Sequence, residues 1–151
     1  AGYDVKMTRT TDDDTDGHEG FNKTEDIHNR EALGKEYPDA VFLSIHMNFS
    51  PASRDKGFQV FYGIKNEKSK ILAENIHEKM TESALATRMR EVKKTPDTVY
   101  LMKHLENPSV LIECGFLGNK EDFDLLSDEK YRQKLAFIFF AATENFLLSN
   151  N

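Results

Sequence analysis

The chain is 151 residues long, 38% hydrophobic and 30% charged, which suits one domain with a real core and is neither disordered nor greasy enough for a membrane. Its 20 basic and 26 acidic residues leave a net charge of −6, which argues against a nucleic-acid partner, because phosphate binding draws on clustered Lys and Arg. Cys114 is the single cysteine, which rules out an internal disulfide and a cysteine-only zinc site, and no apolar run reaches the roughly 18 residues of a membrane span.

The chain opens on AGYDVKMTR, with neither an initiator methionine nor a leader pattern, so something upstream is expected to have been removed or not included. Tyr3–Thr8 alternates apolar and polar residues as a half-buried strand does. Thr10–Gly20 packs five acids and two glycines into eleven residues and reads as an exposed loop. Lys23–Glu36 has helical spacing, with Ile27 and Leu33 on a thin apolar face and Gly34 and Pro38 at the exit. Ala40–Ile45 is continuously apolar, the pattern of a strand buried on both faces. Gly57–Gly63 alternates again, with Phe58, Val60 and Tyr62 on one side, as a strand nearer an edge.

A helix follows over about Glu67–Leu85, where Ile64, Leu72, Ile76 and Met80 recur and Ile71 widens the stripe. Thr87–Lys94 is basic and reads as a solvated loop or as a surface for acidic peptides. Beyond Pro96, Val99–Met102 is a short apolar piece that suits another strand. Ser109–Phe116 is the second continuously apolar run. Asn119 suits the cap of a short helix, and Ser127 with Asp128 and Glu129 opens a last one, whose buried face is Tyr131, Leu135, Ile138, Ala142 and Phe146. Strands alternating with helices, without repeats or a linker, predict a single α/β domain with a mostly parallel sheet sandwiched by helices.

Both continuously apolar runs end on chemistry. His46 follows Ile45, and Glu113 follows Ile112. In open α/β sheets ligands bind beyond the carboxyl ends of the strands. A neutral imidazole there is a good zinc ligand, and a carboxylate near a metal can act as general base for its water. A structural histidine and a salt-bridged glutamate are the alternatives at these two positions. Cys114 is expected to pack beside the strand end.

Four ordered stretches carry a resemblance. LSIHMN resembles the SIHxN signature of the zinc-dependent N-acetylmuramoyl-L-alanine amidases, and PSVLIECGFLGN their PxxLVExGFLSN segment. GYDVKMTRTTDDD is similar to their GxxVxxTRxxD stretch and DIHNREAL to their LxxRxxxAN helix. REVKKTPDTVYLMKHLENPSVLIECGF looks most like the germination-type, spore-cortex members. The resemblance implies cleavage of the amide between N-acetylmuramic acid and the L-alanine of the peptidoglycan stem peptide, outside the cytoplasmic membrane. It implies Zn²⁺ as cofactor, His46 as a zinc ligand and Glu113 as the catalytic glutamate. That glutamate takes a proton from metal-bound water and returns one to the leaving amine. It further implies a site-orienting role for Asn48. Arg9 and Arg30 match family arginines, as structural ion pairs or as contacts to a stem carboxylate, and His104 suits the wall of the substrate groove.

The resemblance also implies a second histidine, in a GHGG-type stretch after the first strand, and a zinc-ligating glutamate on the next helix, both upstream of the TR segment. Neither is in this sequence, so the expectation is an amidase domain lacking its first strand and helix. The missing ligands would come from a longer chain, from a second chain or activating partner, or from local substitutes, for which His18, Glu19, His28 and His104 are the candidates. His77 is expected on an exposed helix face. Two rival readings stand beside the amidase: a metal-free binding module, and another zinc hydrolase such as a carboxypeptidase.

Overall fold

Asn22 begins the first helix. Its side-chain oxygen accepts from the backbone N–H groups of Thr24 and Glu25, two of the donors that a helix start leaves unpaired. In the computed structural model, which describes residues 2–13, 15, 20 and 22–150, that helix is α1, Lys23–Glu36. Then come β1 (Phe42–Asn48), β2 (Gln59–Tyr62), α2 (Lys68–Ser83), β3 (Lys93–Lys94), α3 (Tyr100–His104), β4 (Ser109–Phe116), α4 (Lys120–Ser127) and α5 (Glu129–Ser149). His18 and Glu19, two of the candidate substitute ligands, lie outside the described residues.

The four strands form one sheet in the order β1-β4-β2-β3. The β1–β4 and β2–β3 pairings are parallel, and β2–β4 is antiparallel. Alternation along the strands divides the side chains between two faces. On one face Val60, Val110, Ile112 and Cys114 pack against Leu72, Ile76 and Met80 of α2 and Leu135, Phe139 and Ala142 of α5. This is the main core, and burying each of its larger side chains contributes about 1.5–3 kcal/mol. On the other face a smaller cluster joins Leu111 to Met102 and Leu105, with Phe42 and Phe61 against them. There α1 and α3 give the cover.

The structure corrects four expectations. Tyr3–Thr8 joins no ladder, and Val5 and Met7 stand exposed. The segment instead touches α5 through the Tyr3–Phe140 ring contact and α1 through Thr8, and without a strand neighbour its alternation has no sheet to enter. β1 is not buried on both faces. It is an edge strand, and Ile45 and Met47 are 58% and 48% exposed because no helix among the described residues covers that part of it. β2 lies inside the sheet, between β4 and the two-residue β3. Tyr100–His104 is a helical turn rather than a strand, whose one fully buried residue, Met102, fills the smaller core. Two details also differ. Ile64 and Ile71 are exposed beside the α2 stripe, and the α5 cap is Asp128, whose side chain accepts from Lys130 N–H, with Ser127 ending α4.

Candidate active site

β1 and β4 run side by side in register, with Ile45 opposite Ile112 and His46 opposite Glu113. On the far side of β4, Glu113 also faces Gln59 of β2. Directly opposed residues point to the same face, so His46, Glu113 and Gln59 form one polar row across three strands. It lies on the face of the smaller core, just beyond Leu111 and Phe61 toward the carboxyl end of β4. The sheet therefore brings together the two strand-end residues that lie 67 positions apart by number.

Glu113 is half-buried, and desolvation raises its pKa above the ordinary glutamate value. Its Oε2 is enclosed with no hydrogen-bond partner. An enclosed carboxylate oxygen without a donor is costly in a native site, so it marks a position prepared for a proton, a cation or a ligand donor. His46 is open on its outer side. The protein packed around the ring, and next the Arg30 guanidinium, push its pKa below the ordinary histidine value. The imidazole is therefore neutral at pH 7, the form that donates a lone pair. Its Nε2 lies 2.8 Å from Ser44 Oγ, a neighbour on the same strand face.

Asn48 ends β1. Its backbone carbonyl accepts from Leu117 N–H at 2.8 Å, and its side-chain oxygen accepts from Phe49 N–H at 2.7 Å. The first bond ties the end of β1 to the turn after β4, and the second is local to the strand end. Asp122, 4% exposed, holds the same corner: its carboxylate accepts from Phe116 N–H and Gly57 N–H, each at 2.8 Å, and from Thr87 Oγ. Gly57 has φ +104°, and a Cβ there would collide with the Arg88 backbone, so only glycine lets the two loops close around that carboxylate.

The two arginines part company. Arg30 Nε donates to Asp26 Oδ2 at 2.8 Å and Nη1 to Thr8 Oγ at 2.9 Å, while Thr15 adds two donors to the same aspartate. Arg30, and after it Thr15, hold the Asp26 carboxyl well below the usual carboxylate range. Arg30 is thus anchored structurally and still close enough to act on His46. Among the described residues Arg9 makes local contacts to Asp12 and Asp13 on the surface and is not brought to the row. His104 stacks on Tyr100, ring centroids 4.0 Å apart, and its Nδ1 meets the Tyr100 carbonyl. With Glu31, which accepts from Tyr100 OH, and His28 beside the same ring, it belongs to the α1–α3 contact. His77 contacts the Arg90 carbonyl through Nε2 and is half-buried rather than exposed. Burial, and next Glu113, push the Cys114 thiol up to about 12, so it packs as an apolar group and is not a nucleophile.

Among the described residues no three His, Cys, Asp or Glu side chains converge as a metal site. His46 supplies one imidazole, whereas a catalytic zinc takes three protein donors, so these residues fill one position of such a site and do not fit the ion by themselves. Sequence reasoning missed Ser44, Gln59 and Asp122. Alternation would have placed Ser44 beside His46, and Gln59 on the face opposite Phe58 and Val60. Nothing local marked Asp122, whose partners are up to 65 residues away.

Comparison with known proteins shows what the chain is similar to. The chain is 33% identical over 136 residues to the germination-specific N-acetylmuramoyl-L-alanine amidase of Bacillus subtilis (strain 168), covering 87% of this chain and 56% of that protein. It is 37% identical over 98 residues to the N-acetylmuramoyl-L-alanine amidase LytC of the same organism, covering 64% of this chain and 19% of that one. The chain thus spans about half, or less, of the length of these curated relatives. Among solved structures it superimposes on the CwlD amidase of Clostridioides difficile, determined in complex with the GerS lipoprotein, with a TM-score of 0.85 and 32% identity, covering 97% of this chain and 76% of that one. The family model described as N-acetylmuramoyl-L-alanine amidase matches residues 1–144, and the chain belongs to that family.

Proposed function

We propose that this chain carries the reaction centre of a peptidoglycan amidase of the germination type, acting outside the cytoplasmic membrane on the bond between N-acetylmuramic acid and L-alanine. The observation that carries the reading is the pairing of His46 with Glu113 at the carboxyl ends of two adjacent parallel strands, with Glu113 Oε2 enclosed and unpartnered. Glu113 is the general acid and base. Its raised pKa suits a carboxylate that takes a proton from the attacking water and passes one to the departing alanine amine. His46, neutral and on the next strand, would be one of the donors to a zinc ion, which would supply Lewis-acid polarisation if its other donors were present. Asn48 and Arg30 act behind them, one fixing the strand end and the other keeping His46 unprotonated.

The other two zinc donors come, in this reading, from a strand and helix of the same domain outside the present sequence, or from a partner chain. The exposed Ile45 and Met47, on a strand whose outer edge is unpaired among the described residues, support it, since an open apolar edge is a place for another element to add. Digestion of purified peptidoglycan by the full-length protein tests the proposal. New amino-terminal alanine on released stem peptides is the expected product. Release of carboxyl-terminal amino acids would favour a carboxypeptidase instead.

A second reading, that the chain by itself is a metal-free binding module, has one observation in its favour, the single imidazole in the row. Zinc binding by the full-length protein separates the two: stoichiometric zinc that is lost in His46→Ala supports the amidase reading, and no dependence on His46 supports the module.

A further inference from the structure

The polar row has three members, and the third has no role in the chemistry described so far. Gln59 is 6% exposed, which is unusual for a long amide side chain unless its polar atoms are engaged. One of them is: Nε2 donates to the Glu91 carbonyl at 3.1 Å. A carbonyl only accepts, which fixes the orientation of the amide and sends Oε1 away from that loop. Oε1 has no hydrogen-bond partner among the described residues, and it is not one of the enclosed unpartnered atoms there, Ser109 Oγ and Glu113 Oε2, so it is not completely closed off. Gln59 sits directly across the β2–β4 pair from Glu113, where opposed Cβ atoms stand roughly 4.5–5.5 Å apart. His46 flanks Glu113 on one side and Gln59 on the other.

We infer that Gln59 is a substrate-contacting, specificity-determining residue, whose tethered side-chain amide receives a secondary amide of the substrate beside the reacting carbonyl. The inference rests on the amidase reading of the site. A carboxamide offers one acceptor and one spare N–H in a plane, the complement of a peptide-like amide. The Glu91 tether holds it rigid, so little side-chain entropy is lost on binding. The substrate class has two such groups near the bond that breaks, the N-acetyl group of the sugar and the first peptide bond of the stem, and the shared chemistry is the secondary amide.

The test is NMR titration of the ¹⁵N-labelled 151-residue chain with N-acetylmuramoyl-L-alanyl-D-isoglutamine. The Gln59 side-chain NH₂ pair is assigned by its loss in Gln59→Leu. Parallel titrations with N-acetylmuramic acid and with L-alanyl-D-isoglutamine show which amide is received. The expected result is that the Gln59 NH₂ signals shift along the same saturation curve as the His46 and Glu113 backbone amides. Gln59→Leu, or Gln59→Met should the first variant not fold, then weakens binding by the folded protein about five- to tenfold, whatever the lost Glu91 tie does to Tm. Saturating shifts at His46 and Glu113 with the Gln59 NH₂ pair unmoved would overturn the inference and leave the amidase reading standing. A variant that lowers Tm but leaves the affinity unchanged would reduce Gln59 to a structural tie. Absence of saturable shifts at all three positions would count against the amidase reading itself, and the inference would fall with it.

Discussion

β4 and β1 carry the same kind of sequence, an apolar run closed by a polar residue, yet the sheet uses them differently. β4 is paired on both sides, and Val110 and Ile112 are fully buried. β1 is paired on one side only, and Ile45, the register partner of Ile112, is 58% exposed. The central strand holds its glutamate in a desolvated place, which raises its pKa, while the edge strand leaves its histidine open on one side. A site built between the two has one wall supplied by the core and one wall open.

Three substitutions sharpen that contrast, from the largest expected effect to the smallest. Ile112→Ala removes a fully enclosed side chain from the main core and costs about 2–5 kcal/mol in urea denaturation. Asp26→Asn breaks the buried Arg30 and Thr15 network beneath the site and costs about 2 kcal/mol at neutral pH. Asp26 has a depressed pKa, so its stabilisation is fully present above the ordinary aspartate value of 3.8 and is lost as pH falls below it. The gap between variant and wild type should therefore close in acid. A gap that widens there would mean that the carboxylate is not held as described. Ile45→Ala costs less than about 1 kcal/mol, because more than half of the side chain already meets water. A loss equal to that of Ile112→Ala would show that the outer side of β1 is covered in solution.

The main core was legible because apolar spacing reports burial directly. Leu72, Ile76 and Met80 of α2, the face of α5 and the bounds of β4 follow from it, as does the Asn119 cap. The other side of the sheet was less so. α1 buries Asp26, Glu31 and Gly34 rather than an apolar stripe. The i,i+4 ion pairs of its carboxylates follow from helical spacing, but their distant partners, Thr15 for Asp26 and Tyr100 for Glu31, do not. The run at β1 misled for a related reason: apolarity tells how a strand would sit if covered, not whether a neighbour is present. His46 and Glu113 stood out because polar residues ended apolar runs. Gln59 did not, because it lies inside an alternating strand where a polar residue is the ordinary occupant.

The central claim is that Glu113, in the carboxyl-terminal half of β4, carries the proton transfers of amide cleavage. Release of amino-terminal alanine from peptidoglycan, measured for the full-length protein and for its Glu113→Gln variant, tests this most directly. The account predicts a loss of about 10²–10⁴-fold in rate with no loss of Tm, since the variant relieves an enclosed charge. A Glu113→Gln variant that folds and still releases stem peptides at the wild-type rate would contradict it.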